Sequence, residues 1–306
     1  MLRVVVPLLA VLLTACGSGT AAADNESRSG KLAVVTSFYP LQFVAARVGG
    51  SNVEVRSLTR PGAEPHDLEL TPRDVAALSR SDVVVYLSGF QPAVDQAVAA
   101  GGPRAVVDVA PAARLDLRYT PLEDGVPQHR VGSRTDPHFW LDPTRLAAVA
   151  EVVANRLQRA DPAHAPFYRI NLARLTHDLT VLDDQLRHGL ADCAGTELVT
   201  SHTAFGYLAE RYGMRQVGIT GLSPESEPDP GQLAQAATFV RDHVVRTIYY
   251  ETLVSPALAR TVAAETGANV AVLDPLEGLD DSSAGADYLE VMRSNLATLR
   301  KGQPCP

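Results

Sequence analysis

Two successive series of short β-branched runs, each alternating with helical patterns, constrain this chain more than any other feature. In the first half the strand candidates are Leu32–Ser37, Val53–Leu58, Asp82–Leu87 and Ala105–Val109, separated by helix candidates at Pro40–Val48, Pro72–Arg80 and Pro92–Ala99. The second half repeats the rhythm. Its strands fit Glu197–Ser201, Gln216–Thr220, Thr247–Glu251 and Asn269–Leu273, and its helices fit Ala204–Tyr212, Pro230–Val244, Pro256–Thr266 and Tyr288–Leu299. A helix between successive strands returns the chain to the same end of the sheet, so the strands run parallel and need cover on both faces. The expected fold class is therefore α/β, with two lobes, each a mostly parallel sheet with helices on both faces.

Between the halves the spacing predicts two more helices, Pro143–Leu157 and about Ala165–Leu190. The second carries Ile170, Leu172, Leu175, Leu179, Leu182 and Leu186 at mostly three-to-four-residue intervals. At 1.5 Å per residue it would reach roughly 39 Å, the height of a domain. It reads as a long connecting helix, or as a helix belonging wholly to the first lobe. The expected division is residues 31–163 for the N-terminal lobe, 164–190 for the connecting helix and 191–306 for the C-terminal lobe. The stretch Leu117 to Thr135 holds Pro121, Gly125, Pro127 and Gly132 and reads as a surface loop.

Charge and hydropathy exclude two classes of function. Lys and Arg number 27 against 35 Asp and Glu, a net −8 with no basic cluster, which speaks against nucleic acid. No apolar run reaches the roughly 18 residues of a membrane-spanning helix.

The N-terminus looks like an address. Arg3 precedes the apolar stretch Val4–Leu13, which is signal-peptide length, and Leu13-Thr14-Ala15-Cys16 follows. Small residues before a Cys resemble a bacterial lipobox, so residues 1–15 are expected to be a signal peptide and Cys16 the lipidated N-terminus. Residues 16–30 would be a flexible tether. Export makes an oxidised Cys193–Cys305 pair possible; the alternative is two free thiols.

Three of the eight His lie in conspicuous settings. Glu64-Pro65-His66 and Asp136-Pro137-His138 each place an acid-Pro-His unit in a loop before a capped helix start, Thr71-Pro72 and Asp142-Pro143 respectively. His202 follows the strand ending at Ser201, and Asp274 follows the one ending at Leu273. In open parallel sheets, ligands bind beyond the C-terminal strand ends. Three imidazoles and one carboxylate suit tetrahedral zinc, with two ligands from each half. Asp274 has an equally good role as a turn cap ahead of Pro275. His177 and His188 fall on the connecting helix, His243 near a helix C-terminus and His164 at a helix entry, while His129 reads as a solvated loop residue or a weak metal-capture point.

These motifs together resemble the substrate-binding lipoproteins of bacterial zinc and manganese ABC importers. The matching segments are Ser37-Phe38-Tyr39-Pro40-Leu41, Pro61-Gly62-Ala63-Glu64-Pro65-His66, Asp136-Pro137-His138-Phe139-Trp140-Leu141-Asp142-Pro143, Thr200-Ser201-His202-Thr203-Ala204-Phe205-Gly206-Tyr207 and Asp274-Pro275-Leu276. The resemblance implies one metal ion between two lobes, with ligands His66, His138, His202 and Asp274, or with Glu64 in place of Asp274. Zinc-type members place a His where this chain has His202; manganese-type members place a Glu. A long His- and acid-rich loop is typical of many zinc-type relatives. Here that region offers only His129, Glu123 and Asp124.

The expected function is a high-affinity zinc receptor, not an enzyme, anchored by lipid to the extracytoplasmic face of the cell membrane. It would be a monomer carrying Zn²⁺ as cargo to the membrane permease of an ABC importer. The competing readings are a manganese or iron receptor of the same family, an exported zinc hydrolase using Asp274 or Glu277 as base, and an adhesin with a structural metal.

Overall fold

The computed structural model describes residues 30–119, 134–222, 228–253 and 255–305. The first half runs β1 (Leu32–Thr36), α1 (Tyr39–Gly49), β2 (Val53–Ser57), α2 (Pro72–Arg80), β3 (Val83–Tyr86), α3 (Pro92–Ala99), β4 (Val106–Asp108) and α4 (Ala110–Ala113). An antiparallel pair of two-residue strands follows, β5 (Arg118–Tyr119) against β6 (Arg134–Thr135), and then α5 (Pro143–Ala160) and α6 (Ala165–Gly189). The second half runs β7 (Glu197–Thr200), α7 (Gly206–Arg211), β8 (Arg215–Gly218), α8 (Pro230–Asp242), β9 (Thr247–Tyr250), α9 (Ala257–Thr266), β10 (Asn269–Val272) and α10 (Tyr288–Gly302).

The first sheet has the order β2-β1-β3-β4 and the second β10-β9-β7-β8, every pairing parallel. Numbered within its own half, the second order is the first read backwards, so the two sheets share one topology. Each therefore has a switch point, between β1 and β3 and between β7 and β9, where helices leave to opposite faces and a crevice opens at the strand ends.

Alternation along the strands builds three cores. Val34, Val83 and Val85 face a large shared core, while Val35 and Val84 face a smaller one with Leu78 of α2 and Val94 of α3. In the second sheet Leu198 and Tyr249 join the same large core, while Val199, Val217 and Ile248 pack beneath α8 and α9. The large core is continuous through α1, α5, α6 and both sheets.

Local chemistry sets the helix starts. Thr71 and Asp74 form a capping box ahead of Pro72, and Asp229 and Gln232 form another ahead of Pro230. Asp142 caps α5 through the Thr144 N–H at 2.8 Å. The long helix α6 spans 25 residues and leans on both halves. Near its start Asn171 Nδ2 donates to Val48 O of α1 at 3.1 Å, and at its middle Asp178 pairs with Arg47 of α1 at 2.5 Å. Near its end Gln185 accepts from Arg293 of α10 at 3.0 Å. Its buried stripe is Tyr168, Leu175, Leu179, Leu182 and Leu186. Ile170, expected in that stripe, is half exposed, because Tyr168 takes the core position one half-turn earlier.

Cys193 and Cys305 are joined as a disulfide, closing the C-terminal end of α10 onto the turn before β7. Cys16 lies outside the described residues, as do His129, Glu123 and Asp124. No described helix is long and apolar enough to cross a membrane.

Candidate metal centre

The site forms where loops after four strands meet. His66 sits in the loop after β2. Its backbone N–H donates to Glu64 Oε1 at 2.8 Å, and Gln91 Nε2 donates to the Pro65 carbonyl at 3.0 Å, fixing the loop from both sides. Gly62 in this loop has φ +72°, and a Cβ there would meet Asp280 Oδ2 at 2.9 Å. A side chain at that position would push the His66 loop off the segment that follows β10.

His138 follows β6. Asp136 Oδ1 accepts from the His138 backbone N–H at 2.9 Å and lies 2.7 Å from Nδ1. A carboxylate only accepts, so it selects the tautomer with the proton on Nδ1 and turns Nε2 toward the centre. The next residues, Phe139, Trp140 and Leu141, are fully buried and lead directly into α5. His202 follows β7, and Glu251 follows the neighbouring β9. Glu251 Oε2 lies 2.7 Å from His202 Nδ1.

The fourth donor is Glu277. Its Oε1 lies 3.2 Å from His66 Nε2, 2.9 Å from His138 Nε2 and 3.3 Å from His202 Nε2, and the two Nε2 atoms of His66 and His138 are 3.3 Å apart. One ligand atom from each of these four residues falls within 4.8 Å of all the others. A tetrahedral zinc with bonds near 2.0–2.1 Å needs ligand atoms about 3.3 Å apart, so the metal fits with little rearrangement. His138 is 0 %, His202 1 % and Glu277 2 % exposed; only His66, at 11 %, is reached by solvent.

Asp274, the carboxylate expected from the resemblance, stands outside this group. Its Oδ1 accepts from the Leu276 N–H at 2.7 Å, and its backbone is held on both sides by Asn295. It is the turn cap. Leu276 is fully buried with φ +58°, a left-handed conformation costly for a branched residue. The Asp274 bond stabilises that turn, and the turn swings Glu277 three residues on into the centre. The sequence does hold a hint: two acids three apart flank Pro275-Leu276, and the longer side chain reaches further. Glu64 also stays outside the four. Its Oε1 lies 3.9 Å from His66 Nε2, and its carboxyl is pushed up to about 8 by burial, with Glu277 adding to the effect.

The electrostatics follow from burial opposed by charge. Burial pushes His66 down. Burial also acts against the charged forms of His138 and His202, but Asp136 and Glu277 raise the first, and Glu251 and Glu277 raise the second well above the ordinary His value. Against the same burial, the surrounding imidazoles hold Glu277 well below the usual carboxylate range.

Of the remaining His, His177 and His188 are exposed on α6, and His243 stacks on Phe239 with ring centroids 3.9 Å apart. His164 Nδ1 lies 2.6 Å from Asp161 Oδ2 ahead of α6.

The family described as zinc-uptake complex component A, periplasmic, matches residues 34–302. The chain belongs to that family. Zinc-uptake component A proteins are transport components and not enzymes. The high-affinity zinc uptake system protein ZnuA of Bacillus subtilis (strain 168) is 33% identical over 301 residues, covering 95% of this chain and 93% of the relative. The zinc-binding protein AdcA of Streptococcus pyogenes is 33% identical over 287 residues. That match covers 89% of this chain but 56% of AdcA, so the chain spans little more than half the length of that relative. Among solved structures, the laminin binding protein Lmb of Streptococcus agalactiae, described as a bifunctional protein with adhesin and metal transporting activity, superposes with a TM-score of 0.77 at 33% identity. That match covers 89% of this chain and 99% of Lmb. The Zn(II)-bound ZnuA-like domain of Streptococcus pneumoniae AdcA superposes with a TM-score of 0.74 at 32% identity, covering 90% of this chain and 99% of that domain.

Proposed function

We propose that this chain is the zinc receptor of an ABC importer, capturing Zn²⁺ outside the cytoplasmic membrane and passing it to a membrane permease. The observation that carries the reading is the convergence of three imidazole nitrogens and one carboxylate oxygen on a single buried point. Nitrogen-rich tetrahedral donors favour zinc over manganese, which prefers more oxygens and a larger shell. Four protein donors also leave no coordination position for an activated water, which favours a carrier over a zinc hydrolase. His66, the one solvent-reached ligand, borders a cavity of about 590 Å³ shared with Asp67, Phe90 and Arg134, which supports entry of the ion from that side. The shared core through α6 supports modest lobe closure on binding. A monomer held near the membrane through a lipid on Cys16 completes the proposal.

The test uses residues 31–306 stripped of metal and titrated with Zn²⁺ and Mn²⁺ under native mass spectrometry. One zinc per chain, held against a competing excess of manganese, is the expected result. Preferential manganese uptake, or zinc bound with an exchangeable open position that turns over ester substrates, would overturn it.

A further inference from the structure

We infer that Glu251 is a positioning residue for the metal centre: it fixes the ring orientation and tautomer of His202 and so makes that imidazole a strong zinc donor. The inference rests on the zinc-receptor reading and adds a residue that touches no metal.

The placement follows from the sheet. β7 and β9 are hydrogen-bonded neighbours at the switch point, with Thr200 opposite Tyr249 and the Ser201 N–H donating to the Tyr249 carbonyl at 2.8 Å. Two residues beyond that last pair, His202 and Glu251 emerge side by side at the strand ends. Glu251 is 2 % exposed. Its Oε1 accepts from Ser201 Oγ at 2.7 Å and from the His202 backbone N–H at 3.3 Å, which holds the carboxylate beside the ring with Oε2 at ion-pair distance from His202 Nδ1, 2.7 Å away; neither of these two atoms has another partner among the described residues. Among the described residues no Lys or Arg lies within ion-pair distance of Glu251; its one charged-group contact is His202. A carboxylate buried without a cation is unfavourable for folding alone, so its compensating partner defines its role. Carboxylates behind metal-ligating imidazoles set which nitrogen carries the proton and raise the basicity of the other. Asp136 stands in the same relation to His138, 2.7 Å from its Nδ1. Two of the three imidazoles thus have a buried carboxylate behind them, one supplied by each lobe.

The experiment is a double-mutant cycle on zinc affinity, read by competition with a chromophoric chelator. E251Q keeps the size of the side chain and removes its charge. It should weaken zinc binding roughly 10–100-fold. In an H202A background E251Q should cost nothing further, while in an H66A background it should cost its full factor. A merely structural role would lower affinity equally in both backgrounds. E251Q binding zinc like the wild type, or an undiminished cost in H202A, would overturn the inference. If E251Q does not fold, S201A removes the hydroxyl that aims Glu251; a several-fold loss confined to chains that keep His202 supports the inference, and wild-type affinity overturns it. Wild-type chain that fails to bind zinc would instead remove the receptor reading.

Discussion

The indole Nε1–H of Trp140 donates to the Pro275 carbonyl at 2.7 Å, joining the segment two residues past His138 to the turn two residues before Glu277. Both partners are buried, and Tyr288 Oη donates in turn to the Trp140 carbonyl at 2.6 Å. W140F would leave the Pro275 carbonyl without its donor and shrink the ring. An unpaired buried acceptor costs about 1–3 kcal/mol, so metal-free W140F should unfold at lower urea by that amount. Zinc affinity should fall with it, because the two halves of the donor set lose their direct link. Equal urea midpoints for W140F and wild type would show that the bond does not hold the lobes.

Much of this arrangement is legible in the sequence because its signals are local. Short β-branched runs, Pro at helix starts and the Thr71–Asp74 cap fix the elements without reference to anything distant. The three His announce themselves as well, by rigid Pro-His units and by strand-end position. Glu277 does not. Its role depends on Leu276 adopting a left-handed conformation, which a Leu rarely does and which the Asp274 bond and burial together impose. Glu251 is equally silent, since only the pairing of β9 beside β7 brings it to His202. Carboxylates that act across strands belong to topology, and topology is carried by the whole chain.

The two acids of the Asp274–Glu277 turn should separate cleanly on mutation. E277A removes the donor nearest all three imidazoles and should lower zinc affinity by orders of magnitude. D274N keeps an oxygen acceptor for the Leu276 N–H and should bind zinc within a few-fold of wild type. D274A lets the turn relax, costing about 1–2 kcal/mol of stability and part of the affinity. Competition titrations of the three variants decide the order. A D274N as weak as E277A would place Asp274 on the metal.

Zinc affinity should rise with pH through neutrality. Although burial opposes charge, His138 and His202 are raised in the metal-free protein by their carboxylate partners, and zinc binds the neutral imidazole. Binding must therefore displace protons, up to two per ion, and it tightens as pH climbs through the raised values, above the ordinary His value of about 6.5. The stability linkage has the opposite sign. The contribution of these His to the metal-free fold is fully present below about 6.5 and is lost as pH rises through their folded values. Calorimetry in two buffers of different ionisation enthalpy counts the protons. Zinc affinity that stays flat between about pH 6 and about pH 8 contradicts the assignment.

Removing the disulfide should loosen the fold and spare the site. Cys193 and Cys305 are 112 residues apart in sequence, and a loop of that size restrains the unfolded chain by roughly 4.5–5 kcal/mol at most. The bond lies before the N-terminal end of β7, while His202 follows its C-terminal end. Four residues of strand, each paired with β8 and the last two also with β9, put about 13 Å of backbone between them. The double variant C193S/C305S should therefore melt about 10 °C lower without metal, and saturating zinc should raise its melting temperature by the same free energy as in wild type. Its zinc affinity should stay within about two-fold of wild type at 25 °C, under 0.5 kcal/mol, since the native donor geometry does not depend on the bond. A larger loss of affinity would mean that the C-terminal anchor of α10 sets the position of Glu277 through Asn295, which grips the Asp274 backbone from the same helix.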